Sequence, residues 1–288
     1  MSVATANDSV TSTLTSEDRI SRAAGLPRPA HGAGFVPTTL GVARRTVLRS
    51  VRTPQVFVIG LIQGAMFLLI FRYVFGGAIT SGIRYVDFLV PGFVGTGVLF
   101  AGMSSSIGAA QDLTEGLFDR LRSLPVPRLG VVSGRVVADT ALATLSLLVT
   151  VVVGFAVGFR TSAPIADLLA AVGLCVVGAF AFTWLFVLLG LMAGNPQAAQ
   201  GMGLLVFPFT FVSSAFVPVA SMPGWMQPFA RNQPLTLLVN AVRGFSLGDK
   251  AQQVLGHPAG YFAVRTLVWF ALFTVLFAPL AARRYERG

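Results

Sequence analysis

Charge is what this chain has least of. Only 11% of its 288 residues are Asp, Glu, Lys or Arg, against 54% apolar, and the mean hydropathy is +0.75. Soluble domains carry about 25% charged residues, so an ordinary water-soluble fold is excluded and a chain threaded repeatedly through lipid is indicated. Histidine is nearly absent: His31 and His257 have no partner at metal-ligand or triad spacing, which removes histidine-based catalysis. The lone cysteine, Cys175, sits in an apolar run. A single thiol closes no intramolecular disulfide and no multi-cysteine metal site, and it reads as a small core hydrophobe. No G-x-x-x-x-G-K-[ST] phosphate loop occurs; Gly244–Lys250 comes nearest and lacks the spacing. Lysine is confined to Lys250, so the formal net charge of +10 is carried by arginine. The arginines stand at the ends of apolar segments, a pattern of membrane topology and not of a nucleic-acid surface.

What is present is a series of apolar runs. Met1–Gly34, rich in Ser, Thr and Ala with no apolar h-region, reads as a disordered cytosolic tail. Residues 35–54 form an amphipathic interfacial helix that Thr38 or Thr39 can cap. Leu40, Ala43, Val47, Leu48 and Val51 share one face, with Arg45, Arg49 and Arg52 opposite and Arg44 placed to snorkel. A plain stop-transfer charge cluster is the simpler reading of the same arginines. Residues 55–288 are an all-α integral membrane domain with six expected transmembrane helices: Gln55–Phe75, Phe88–Ala110, Val131–Phe159, Ile165–Ala193, Gly201–Ala220 (kinked at Pro208) and Tyr261–Ala282. Each reaches or exceeds the ~20 residues that span a bilayer. Gly194–Asn195–Pro196 closes the fourth. With the N-terminus inside, 14 of the 21 basic residues fall on one side: seven before the first span, four around the central island and three at the C-terminus. The positive-inside rule then puts both termini in the cytosol of a multi-pass plasma (inner) membrane protein.

Two stretches break the pattern. The first, Asp112–Arg128, packs Asp112, Glu115, Asp119, Arg120, Arg122 and Arg128 into one segment. Each such charge costs roughly 2.5–3.5 kcal/mol at a bilayer centre, so the segment is a loop. Thr114 is expected to cap a short helix over residues 114–125, with Pro125 and Pro127 stopping it. Leu117, Leu121 and Leu124 share its apolar stripe with Phe118 at the flank, and Glu115, Asp119 and Arg122 face away. Phasing leaves open whether the stripe meets a partner or this chain's own helices. The second stretch, Pro218–Gly248, contains four prolines and two interface-type aromatics, Trp225 and Phe229. It reads as a re-entrant or interfacial helical hairpin on the outer side.

These features together resemble the permease subunit of ABC exporters of the type-2 permease family, the daunorubicin/doxorubicin-resistance kind. The resemblance rests on Gly116–Arg128 with Asp119, Arg120 and Pro125, and on Pro218, Met222, Pro223, Trp225, Asn232, Pro234 and Arg243 in the outer segment. The interfacial helix before the first span and the six-span plan complete it. It covers the chain from Phe35 onward. It implies a membrane subunit that is not itself an enzyme and binds no cofactor, with ATP and Mg held by a separate ABC ATPase subunit, two copies per complex. It further implies a second permease copy or sister permease, and a hydrophobic small-molecule substrate moved outward across the membrane: a drug, an antibiotic or a lipid-like molecule. Glu115, Leu117, Phe118, Asp119, Arg120, Leu121, Arg122 and Pro125 would then couple to the ATPase. Pro218, Met222, Pro223, Trp225, Phe229, Asn232, Pro234 and Arg243 would form an exit gate.

Other residues carry weaker signals. Asp139 in the third span suits proton coupling, but Arg135 lies four residues earlier on the same face and pairs with it on the structural reading. Phe67, Phe71, Phe93, Phe100, Phe207 and Phe211 line either a greasy path or ordinary lipid and core contacts. A self-sufficient secondary transporter or channel is the alternative function. It calls for several mid-span ionisable groups and inverted repeats, whereas the mid-span positions are nearly free of charge and no repeat is visible. A simple membrane anchor would not need this many spans.

Overall fold

The computed structural model describes residues 34–51, 54–75, 83–123 and 126–287; the expected tail lies, apart from Gly34, outside them. Among the described residues every regular element is helical. The chain forms α1 (Phe35–Val51), α2 (Pro54–Ile70) with a π turn at Phe71–Phe75, and α3 (Tyr85–Thr114). Then come α4 (Leu117–Arg122), α5 (Arg128–Ala156), α6 (Ile165–Ala193), α7 (Pro196–Leu204) and α8 (Phe207–Phe211). A 3-10 turn at Val219–Ser221 leads to α9 (Gln227–Asn232), α10 (Pro234–Leu247), α11 (Asp249–Leu255) and α12 (Ala259–Arg287).

Among the described residues four helices, α3, α5, α6 and α12, are long and apolar enough to cross a membrane. At 1.5 Å per residue they reach about 45 Å, more than the ~30 Å hydrocarbon core. The fourth expected span matches α6 residue for residue. Gly194 ends α6 at φ 74°, and the Asn195 side chain caps α7 by accepting the Ala198 N–H at 2.8 Å. The first expected span is an α-helix of 17 residues extended through the π turn to Phe75.

The fifth expected span, Gly201–Ala220, is not one kinked helix. α7 begins earlier and stops at Leu204, α8 is five residues long, and residues 212–218 are turns. Pro208 sits in the first turn of α8, where its missing N–H costs nothing, so the break falls before it at Leu205–Val206. The stretch expected as an outer hairpin forms α9 and α10; α10 is buried along nearly its whole length and packs on α12, α3 and α6.

α6 is the hub, lying against α3, α12, α5 and α10. α1 lies along the start of α5, where Gly130 and Gly134 open a groove one turn long. A Cβ at Gly134 would stand 2.6 Å from the Thr39 carbonyl oxygen, and the Thr39 hydroxyl donates to the Gly130 carbonyl at 3.2 Å. Small residues four apart permit this backbone approach. The bundle therefore has two distinct ends. One gathers α1, α4, the start of α5 and the end of α12. The other gathers the start of α3, the end of α5, α10 and the turns before α9.

Candidate functional site

At the first end, α3 runs on through Thr114, so Thr114 does not cap the short helix. Its hydroxyl instead donates to the Gln111 carbonyl at 3.0 Å within α3. The separation comes at Gly116, whose φ of 66° places it in the left-handed region that glycine enters without strain. Its carbonyl accepts the Arg120 N–H at 3.2 Å. The island helix is thus α4, Leu117–Arg122, shorter than the expected 114–125; Leu124 and Pro125 lie outside the described residues.

The side chain that docks is the flank residue. Phe118 is 3% exposed and meets Tyr285 of α12 edge-to-face at 5.1 Å, while Leu117 and Leu121 are half-buried. The apolar side of α4 therefore rests on this chain's own helices. Glu115 and Arg120 are exposed; Asp119 and Arg122 lie on α4, their side chains outside what is described. The Arg49 guanidinium donates to both oxygens of Glu115, at 2.6 and 3.0 Å. That hydrogen bond holds the Glu115 carboxyl below its ordinary 4.5, against an opposing effect of burial.

Behind this surface the expected Arg135–Asp139 pair is formed, Nε to Oδ2 at 2.8 Å. Arg135 also bonds Asp112, and Asp112 in turn accepts from Arg49 at 3.3 Å. Sequence reasoning found the i,i+4 pair but missed its extension to α1 and α3. Periodicity within one helix carries no signal for a contact across 63 residues.

At the second end the expected gate residues separate. Trp225 is 79% exposed, Phe229 half exposed with its ring 6.1 Å from Phe209, and both project from the α9 region. Pro218 precedes the 3-10 turn, Met222 follows it and Pro223 comes next. The Met222 carbonyl accepts from Gln227 at 2.9 Å, and the Asn232 amide donates to the Pro228 carbonyl at 2.8 Å. Pro234 opens α10 at a position that tolerates its missing N–H.

Arg243 belongs elsewhere: it is fully buried (0% exposed). It donates to the Phe88 carbonyl (2.8 and 3.2 Å), the Ser214 carbonyl (3.0 Å) and Asn240 Oδ1 (2.9 Å). Its guanidinium carbon lies 3.6 Å from the centre of the Phe88 ring. It fastens α10 to α3 and to the turn that ends the broken fifth segment. Ser214 Oγ donates to Asn240 at 2.8 Å, and Gln233 donates to the Val212 carbonyl at 2.7 Å. Backbone freed by the break is thereby satisfied inside protein.

Along the broken segment the expected phenylalanines assemble, all but Phe67. Phe100 meets Phe207 at 5.2 Å and Phe207 meets Phe211 at 6.3 Å. Phe211 meets Phe216 at 5.7 Å, and Phe216 meets Phe71 at 4.9 Å and Phe93 at 5.7 Å. The chain of rings runs from mid-bundle to the hairpin end, with Phe207 and Phe211 well exposed.

Comparison with known proteins finds membrane permeases similar along most of the chain. The daunorubicin resistance ABC transporter permease protein DrrB1 of Streptomyces coeruleorubidus is 29% identical over 262 residues, covering 90% of this chain and 89% of its own. The probable doxorubicin resistance ABC transporter permease protein DrrC of Mycobacterium tuberculosis is 27% identical over 260 residues, 88% and 90% of the two chains. The putative transport permease ycf38 of Porphyra purpurea is 24% identical over 218 residues, 70% and 71%. The ABC-2 type transporter family matches residues 39–246, a stretch that runs from α1 through the island and the broken segment to Arg243 and Ser246 in α10. The chain belongs to the ABC-2 type transporter family.

Proposed function

We propose that this chain is the membrane-spanning subunit of an ATP-driven exporter in the plasma membrane, moving hydrophobic drugs, antibiotics or lipid-like molecules outward. ATP and Mg are held by a separate ABC ATPase, two copies per complex, and a second permease copy or sister permease completes the path. The observation that carries this reading is α4. It is a short helix seated by Phe118 on the body of its own chain, with Arg120 exposed on it and Glu115 exposed just before it. A seated helix with charge at its surface suits docking and transmits displacement; a slack charged loop would do neither.

The remaining geometry fits. α2 with its π turn and the segment from α7 to Pro218 add two passes to the four long helices, giving six. α1, α4 and the C-terminal end of α12 share one end, which the arginine asymmetry places in the cytosol. The hairpin with Trp225 and Phe229 is then outer and covers the exit, and the chain of phenylalanines offers an apolar surface to the cargo. The alternative of a self-sufficient secondary transporter gains nothing, since Asp139, the buried acid of α5, is held by Arg135.

Topology is tested with single cysteines at Ser123, exposed beside α4, and Gly224, in open space at the hairpin, in a Cys175→Ser background. A membrane-impermeant thiol reagent should label position 224 alone in intact cells; labelling of 123 from outside would reject the orientation. Coupling is tested by co-purifying the partner ATPase with an Asp119→Ala/Arg120→Ala variant. Loss of the ATPase or of substrate-stimulated hydrolysis is expected, with Arg128→Ala, beyond the island helix, near normal. Full retention of both in the double variant would reduce α4 to a charged loop.

A further inference from the structure

Five charged side chains, from three helices and the turn that follows α3, form one continuous line behind α4. Glu115 is bonded to Arg49, Arg49 to Asp112, Asp112 to Arg135, and Arg135 to Asp139. The line has a wet end and a dry end. The side chains of Arg49 and Glu115 are 45% and 49% exposed, whereas those of Asp112, Arg135 and Asp139 are 4%, 10% and 7% exposed. It begins one residue from the Gly116 turn and ends inside α5, about 16 Å along that helix from Arg128. Space for it is built in: a Cβ at Gly108 would stand 1.9 Å from Arg135 Nη2, so any larger residue there would push the guanidinium out of place.

Resting on the coupling reading above, we infer that Asp112 and Arg135 are positioning residues of the coupling step, handing a displacement at α4 to α1 and α5 through this line. Shared partners supply the two arrangements that such a device needs. Each guanidinium of the line bonds two carboxylates, Arg49 those of Glu115 and Asp112 and Arg135 those of Asp112 and Asp139, so each has a choice. Asp112 is the contested member, giving Oδ1 to Arg49 and Oδ2 to Arg135. When a docked partner draws Glu115 away, Arg49 shifts toward Asp112. Asp112 then relaxes its grip on Arg135, which falls back on Asp139. The shift moves α5 relative to α3 without exposing an unpaired charge in the dry region, where an isolated ion is costly.

The test places an environment-sensitive dye at Val137→Cys, an exposed position on α5 between Arg135 and Asp139, in a Cys175→Ser background. Fluorescence of the ATPase–permease complex is compared in ATP and in ADP. The labelled parent should show a nucleotide-dependent change. Asp112→Asn should abolish it while the ATPase still co-purifies. Arg135→Lys, whose ammonium cannot serve two carboxylates as a planar fork does, should reduce it. An undiminished change in Asp112→Asn, or in Arg135→Lys where Asp112→Asn does not accumulate, overturns the inference. So does failure of both variants to reach the membrane, which would make the line a folding element. A parent that binds the ATPase but shows no change also overturns it. A parent that binds no ATPase at all strikes the coupling reading itself, a separate and recognisable failure.

Discussion

Arg243 offers a test in which the conservative substitution is predicted to be the worse one. Its guanidinium is buried without a carboxylate among its hydrogen-bond partners, and every bond it makes goes to a neutral oxygen. Replacement by methionine, of similar length, removes the buried charge together with its desolvation cost. That exchange alone is often neutral or favourable. What remains is the orphaned Ser214 carbonyl, worth about 1–3 kcal/mol, partly offset by the relief, for a net loss of about 1–2 kcal/mol. Lysine keeps the charge but has no planar fork to serve Phe88, Ser214 and Asn240 together or to stack on the Phe88 ring. An ion left short of partners in the interior costs about 3–5 kcal/mol. At roughly 2–4 °C per kcal/mol for a chain near this length, methionine should lower the melting temperature by a few degrees and lysine by about 10 °C. Thermal unfolding of the detergent-solubilised protein, at fixed detergent and scan rate, decides the order. A lysine variant as stable as methionine or more so would refute the reasoning, because it would make positive charge, and not the fork of donors, the feature that holds the turn.

Two further outcomes follow from the packing and from the pairing at α4. Alanine at Gly92 would put a Cβ 1.9 Å from the Ala215 carbonyl oxygen, whereas Gly97 on the same helix has nothing within 4 Å. Gly92→Ala should therefore cost about 1–3 kcal/mol by overpacking, and Gly97→Ala should be neutral or gain up to about 1 kcal/mol of helix propensity, both read by thermal unfolding. For Glu115 the folded carboxyl lies below its ordinary 4.5, so its contribution is complete above that value and is lost as pH falls through the lowered one. A dye at Gly41→Cys on α1 should accordingly be flat from pH 8 to about 5 and respond only in stronger acid. In Glu115→Gln that acid response should be absent.

How far the sequence reveals this fold depends on the range of the signal. α6 is legible to the residue because its boundaries are local: Pro164 before it, Gly194 after it and apolar residues between. The Arg135–Asp139 pair is legible for the same reason, being one helical turn apart. Thr114 misleads because Thr, Glu and a following apolar run look like a helix start. Tertiary context carries α3 through Thr114, and only the left-handed Gly116 ends it. Polarity and prolines mark α10 as part of an outer hairpin, and it is buried with its polar groups bonded: Arg243 donates to the Phe88 carbonyl on α3 and to the Ser214 carbonyl on the broken segment, and Asn240 accepts from the Ser214 hydroxyl. Which oxygen or hydroxyl meets such a side chain is set by tertiary placement, and no residue type announces it. The hold of Arg49 on Glu115 joins residues 66 apart, beyond the reach of any periodic pattern.

The seating of α1 has a consequence for how the protein is made. Thr39 bonds Gly130, 91 residues later in the chain, and the groove that receives α1 is formed by Gly130 and Gly134. At about 5–20 residues per second, the ribosome finishes α1 roughly 5–20 s before its seat exists. During that interval Thr38, Ala43 and Thr46, all buried in the finished protein, have no protein to cover them. Its other face carries Leu40, Arg44 and Leu48, all exposed in the finished protein, the residue types that rest at a membrane surface. That outer face, left exposed in the finished bundle, is what α1 can offer a membrane surface until α5, the second of the four long helices, arrives to claim it.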